Sequence, residues 1–217
     1  MPAPPLIWDF DGTLADTWED LATCVNLALV DVGHPAVPLE RVRAWIGHGA
    51  RSLLAASLPV EDPSPAQVDE VLATFRAHYA VHCLDTSRLY DGVVEVLDAL
   101  ADHPMAVVSN KPHGFLVEML ERIGLAPRFA LILGGDSLAH KKPHPSVLTH
   151  VAAFFDVPPA SLWMIGDGET DVGAARAVGA RSIACLWGLR DRAVLAAAGP
   201  DHFAEGIGEV VGIVQGR

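Results

Sequence analysis

Cysteine is scarce in this 217-residue chain, and the three present, Cys24, Cys83 and Cys185, stand far apart. Their odd number and the lack of any CxxC pair argue against a disulfide framework and a thiolate zinc site. Positive charge is also short: 15 lysines and arginines face 27 acids, a formal net charge of −12. A non-specific nucleic-acid binder needs a basic face, so nucleic acid is not an expected partner. Long apolar runs are missing as well. No stretch reaches the roughly 18 residues that a spanning helix requires, and no membrane association is expected. Met1-Pro2-Ala3-Pro4-Pro5 carries no basic n-region, so it does not read as a signal peptide. A cytoplasmic, reduced compartment is the expectation, with Cys24 and Cys185 as core thiols. No internal repeat or low-complexity segment is evident.

What is present is ample apolar material: 51% hydrophobic residues and a mean hydropathy of +0.30. That is enough for one sizeable core, or for a core domain carrying a smaller insert. Leu6-Ile7-Trp8 is a short buried-strand pattern. Further strands are predicted over Met105–Ser109, Ala130–Leu133, Leu162–Ile165 and Ser182–Leu186. Helices are predicted over Val93–Ala101, Gly114–Ile123, Pro145–Phe155, Asp171–Val178 and Arg192–Ala198. Apolar strands alternating with helices predict an α/β fold, a doubly wound parallel sheet with a Rossmann-like core formed by residues 1–15 and 87–217. In such sheets ligands bind beyond the strands' carboxyl ends. Residues 16–86 break the alternation and read as all helix, over Trp18–Val32, Val42–Ile46, Ala50–Leu58 and Ala66–His82. This is an inserted α-helical cap, expected to act as a lid that excludes water, although an insert of that size can also be decoration.

Chemistry-bearing residues cluster at the predicted strand ends. Asp9 and Asp11 sit two residues apart, so in extended backbone their carboxylates share a side about 6–7 Å apart. They can hold a metal or divide the roles of nucleophile and acid; an Asp-Gly turn is the plainer alternative. Ser109-Asn110-Lys111 offers a hydroxyl and backbone N–H groups that can cradle an anion, or is ordinary turn chemistry. Lys141-Lys142-Pro143 is a basic pair before a helix, and in so acidic a chain one of the two is expected to be a buried counter-ion. His140 and His144 read as solvent-facing turn residues. Asp167 and Asp171, four apart at a strand-to-helix turn, can face one ion; Asp171 can instead cap the helix. Oxygen donors with no His or Cys point to Mg²⁺. Asp9, Asp11, Asp167 and Asp171 together would repel a phosphate unless a divalent cation and a lysine reversed the local sign.

These four segments, in this order, resemble the haloacid dehalogenase-like hydrolase superfamily over the whole chain, including a helical cap inserted after the first strand. The resemblance implies Asp9 as nucleophile, forming an aspartyl-phosphate, and Asp11 as general acid and then base. It implies that Thr13 supports the loop, and that Ser109 and Lys142 bind the transferring phosphoryl group. It further implies a Mg²⁺ held by Asp9, the backbone carbonyl of Asp11, and Asp167, with Asp171 in support. Dehalogenases of the superfamily lack the second aspartate, so Asp11 implies a phosphatase. Within the superfamily the chain is most similar to the phosphoglycolate phosphatases, through Asp11–Asp16, the cap segment 42–51, Ser109-Asn110-Lys111 and Lys142-Pro143-His144-Pro145. His48, Gly168 and Asp91 depart from that pattern.

The Gly47-x-Gly49 turn, with Arg51, is expected to meet a substrate carboxylate, or merely to separate two cap helices; Asn110 is expected to contact substrate from the core. The expected partner is a small-molecule phosphate substrate, with the protein a monomer or homodimer. Another small phosphate ester (sugar phosphate or nucleotide), pyrophosphate, and a phosphomutase reaction remain the alternatives.

Overall fold

The structure is a computed structural model and describes residues 3–216. In chain order its elements begin with strands β1 (Leu6–Trp8) and β2 (Ala15–Asp16). Helices α1 (Trp18–Asp31), α2 (Leu39–Arg43), α3 (Ala50–Ser57) and α4 (Pro65–His82) follow. Then come β3 (Arg88–Leu89), α5 (Val93–Ala99), β4 (Met105–Val108), α6 (His113–Arg122), β5 (Leu131–Leu133) and α7 (Pro145–Phe154). The chain finishes with β6 (Trp163–Gly166), α8 (Glu169–Val178), β7 (Arg181–Cys185), α9 (Arg192–Ala198), β8 (His202–Ala204) and α10 (Glu209–Val214). Two compact units result, one of residues 1–16 and 89–217 and one of residues 17–88.

The first unit is built on a six-stranded sheet in the order β5-β4-β1-β6-β7-β8, parallel at every pairing. The chain leaves β1 for β4 and β5 on one side, then returns to place β6 on the other. That reversal puts a crevice at the carboxyl end of β1, where a doubly wound sheet takes its ligand. Leu6, Ile7, Trp8 and the whole of β4 and β6 are buried, as strands covered on both faces must be. Ile7, Ala106, Val108 and Met164 pack beneath Val147, Leu148 and Val151 of α7 and Ala174 and Ala175 of α8. Each fully buried aliphatic side chain of this kind contributes about 1.5–3 kcal/mol. That surplus supports the costly polar cluster at the strand ends.

The second unit is helical. Leu21, Val25 and Leu29 of α1 and Leu72, Phe75 and Tyr79 of α4 are buried where those two helices pack together; the Phe75 and Tyr79 rings stack 5.2 Å apart. Ser64 and Gln67 form a capping box that starts α4.

Strand and helix positions follow the sequence expectation within one or two residues, with three differences. The second helix of the insert runs over Leu39–Arg43 rather than Val42–Ile46, because Pro38 supplies the fixed φ that opens a helix. α8 begins at Glu169 rather than Asp171, because the Asp171 carboxylate reaches back to accept the Gly168 N–H at 2.9 Å. β2, β3, β8 and α10 were not foreseen from the sequence. At two to six residues they are too short to show a period of their own.

Candidate active site

Asp9 immediately follows β1, Ser109 follows β4, and Asp167 follows β6, so the parallel sheet alone brings the three segments to one edge. Asp9 and Asp167 meet Asp171, from the first turn of α8, in a buried group whose carboxylate oxygens lie within 4.8 Å of one another. Lys142 is fully enclosed among them. Its Nζ is 3.0 Å from Asp9 Oδ1 and 2.6 Å from Asp171 Oδ1. The Phe10 N–H donates to Asp9 Oδ1 at 2.7 Å. The peptide bond between Lys142 and Pro143 is cis.

Asp167 is gripped from two sides. The Thr13 hydroxyl donates to Oδ1 at 3.0 Å and the Leu189 N–H to Oδ2 at 2.7 Å. Two glycines make that grip possible. A Cβ on Gly12, which has φ +83°, would stand 2.2 Å from Asp167 Oδ2, and one on Gly188 would stand 2.3 Å from Asp167 Cβ. The Trp187 indole N–H donates to the Thr13 carbonyl at 3.1 Å, so the loop after β7 joins the loop after β1 around this carboxylate.

Burial, and then the nearby Asp9 charge, push the Asp167 carboxyl up to about 7. Burial also raises Asp171, with the Lys142 ammonium working against it. For Lys142 the desolvation of burial pulls downward, and Asp171 and Asp9 more than offset it. One ammonium thus pairs with two of the three buried carboxylates. The set carries excess negative charge in a dry place, its donors are all hard oxygens, and one member would hold a proton near neutral pH. A divalent cation such as Mg²⁺ fits that arrangement on charge and on donor type.

Ser109 lies buried at the end of β4 and its Oγ accepts the Lys111 N–H at 3.3 Å. Asn110 Nδ2 donates to the Lys142 carbonyl at 3.0 Å, tying the segment after β4 to the segment before α7. Asp11 stands apart from the three-carboxylate group: its Oδ1 is 2.9 Å from the Nζ of Lys111. Of the basic pair, Lys142 is the buried member, and Lys141 is half-buried. His140 and His144 are exposed, with their rings stacked 3.9 Å apart.

Two parts of this site were missed in the sequence. The Lys111 side chain was not singled out, although its place two residues after a strand-end serine was a usable signal. The Gly188–Leu189 loop carries no titratable group and gave none.

Gly47, Gly49 and Arg51 belong to the helical unit. Both glycines have positive φ, 112° and 87°, in the turn before α3. Arg51 is exposed and pairs with Asp69 of α4 at 2.5 Å.

A sequence profile of the haloacid dehalogenase-like hydrolases matches residues 6–185, which include Asp9, Asp11, Ser109, Lys142, Asp167 and Asp171. The chain belongs to that family. A phosphoglycolate phosphatase of Thiobacillus denitrificans is 40% identical over 185 residues, covering 82% of this chain and 81% of its own. One from Vibrio parahaemolyticus is 34% identical over 216 residues, covering 96% of this chain and 95% of its own. The crystal structure of a predicted phosphoglycolate phosphatase from Haemophilus somnus superimposes with a TM-score of 0.92 at 29% identity, covering 99% of both chains. No helix among the described residues is long and apolar enough to cross a membrane.

Proposed function

We propose that this hydrolase is a Mg²⁺-dependent phosphatase that converts 2-phosphoglycolate to glycolate and phosphate through an aspartyl-phosphate on Asp9, in the cytoplasm. One observation carries the reading. Asp9 is a carboxylate at a strand end, fixed by an N–H and a buried ammonium, beside two further carboxylates that suit a cation. The curated relatives named as phosphoglycolate phosphatases support the substrate.

In this reading an Asp9 oxygen forms a bond to phosphorus as the ester oxygen leaves with the proton of Asp11. Asp11 then takes a proton from water, which attacks the phosphorus, releases phosphate and restores Asp9. The Ser109 hydroxyl, Asn110 and Lys142 hold the phosphoryl oxygens, and Thr13 keeps Asp167 in position. Asp9, Asp167 and the Asp11 carbonyl would hold the cation, with Asp171 behind them; the cation neutralises phosphoryl charge when bound. Positioning and charge neutralisation then account for most of the rate.

The helical unit is assigned the part of a lid, since it is inserted in the chain directly after the loop bearing Asp11. Its turn at Gly47 and Gly49 offers backbone N–H groups to the substrate, and Arg51 joins them by leaving its exposed partner Asp69.

The test is direct. Asp9→Asn should abolish turnover with the thermal unfolding profile retained. EDTA should silence the wild type, and Mg²⁺ should restore it more fully than Ca²⁺. Residual turnover in Asp9→Asn, or turnover indifferent to chelation, would contradict the mechanism.

A further inference from the structure

Lys111 is a buried cation that the reaction above leaves without a task. Its side chain is 2% exposed, and its Nζ lies 2.9 Å from Asp11 Oδ1 and 5.8 Å from the centre of the Phe10 ring. Burying an ammonium is costly unless an anion faces it, and a structural counter-ion for Asp11 would suffice at the surface.

The two buried lysines of the core unit divide the site between them. Lys142 holds Asp9 and Asp171, the groups around the phosphorus. Lys111 holds Asp11, which in the proposed reaction faces the leaving-group oxygen. Lys111 therefore stands on the leaving-group side. In 2-phosphoglycolate the carboxylate is separated from the ester oxygen by one carbon. An ammonium in hydrogen-bond contact with the acid that protonates that oxygen is within reach of that carboxylate. Its three N–H donors allow it to take the carboxylate while staying beside Asp11.

We propose that Lys111 binds the substrate's carboxylate, and so selects phosphate monoesters that bear a carboxylate next to the ester carbon. This rests on the phosphatase reading above and adds to it a residue that reads the leaving group from the core.

The experiment compares wild type, Lys111→Met and Lys111→Arg on 2-phosphoglycolate and on ethyl phosphate, which replaces the carboxylate by a methyl group, all with Mg²⁺. Wild type should prefer 2-phosphoglycolate. In Lys111→Met that preference in kcat/KM should shrink by about tenfold or more, the worth of a charge-assisted hydrogen bond, and Lys111→Arg should recover part of it. If Lys111→Met lowers both substrates by the same factor, the inference is overturned while the phosphatase reading stands. A wild type that shows no preference overturns the substrate reading itself. Should Lys111→Met fail to fold, Lys111→Gln is read in the same way: a preference that shrinks supports the inference, and equal loss on both substrates, or an unchanged preference, overturns it.

Discussion

At Asp167 the proposed cation and a proton would compete. Burial and the Asp9 charge raise its carboxyl from an ordinary 3.8 to about 7. Between those two values the native state binds more protons than the unfolded chain. The metal-free protein therefore loses stability as pH rises through that window. A cation bound there must displace the proton below about pH 7 and need not do so above it. Mg²⁺ should accordingly raise the melting temperature more at pH 8 than at pH 6, read by thermal unfolding with and without the ion. An equal shift at both values would remove Asp167 from the cation site.

At the scale of elements, the helical unit is closed on itself by one carboxylate. Asp20, in the first turn of α1, accepts from the N–H and hydroxyl of Thr86 at 3.0 and 2.7 Å. It also accepts from those of Ser87, at 2.8 and 2.7 Å. The two ends of a 72-residue segment are thereby fastened together. Burial pushes the Asp20 carboxyl upward, and the hydroxyls and N–H groups of Ser87 and Thr86 outweigh it, leaving the pKa below its ordinary value. A depressed carboxylate contributes stability that is present above the unfolded value and is lost as pH falls through the folded one. Asp20→Ala should cost on the order of 2–3 kcal/mol at pH 7, as charge-assisted bonds do when their donors are left behind. The deficit should narrow below pH 4, measured by urea unfolding. A deficit that is constant with pH would mean that Asp20 acts by packing alone.

The same scale shows what was legible beforehand. Strand ends were readable because apolar runs stop at Asp9, Ser109 and Gly166, and a parallel sheet must gather its carboxyl ends. Asp9, Asp11, Asp167 and Asp171 could therefore be grouped from the sequence alone, although the Asp11 carboxylate turns out to stand apart; Lys142 was singled out from Lys141 only through the family resemblance. The pairing of Asp11 with Lys111 could not be foreseen, since it joins positions 100 residues apart through side-chain directions. Nor could the grip of the Gly188–Leu189 loop on Asp167, which uses a backbone N–H that every residue type possesses. α2 was displaced because a proline outweighed the apolar spacing.

For the whole molecule, a net charge of −12 sets the problem that the site solves. The proposed substrate is a trianion and the chain is strongly acidic, yet the core unit buries two lysines near the carboxyl ends of its strands and groups three carboxylates that suit a cation. A divalent cation bound there would offset the remaining negative charge where the phosphate is proposed to sit, while the rest of the surface keeps the charge that favours solubility. Such a site would favour small, highly charged esters over larger phosphates whose leaving groups bring no anion near Lys111.

The most direct test of the account is kcat/KM with Mg²⁺ for 2-phosphoglycolate against a panel of sugar phosphates, nucleotides and pyrophosphate. The account predicts a preference of about a hundredfold, or about 2.7 kcal/mol of differential transition-state binding. A flat profile, or a sugar phosphate as the best substrate, would contradict it.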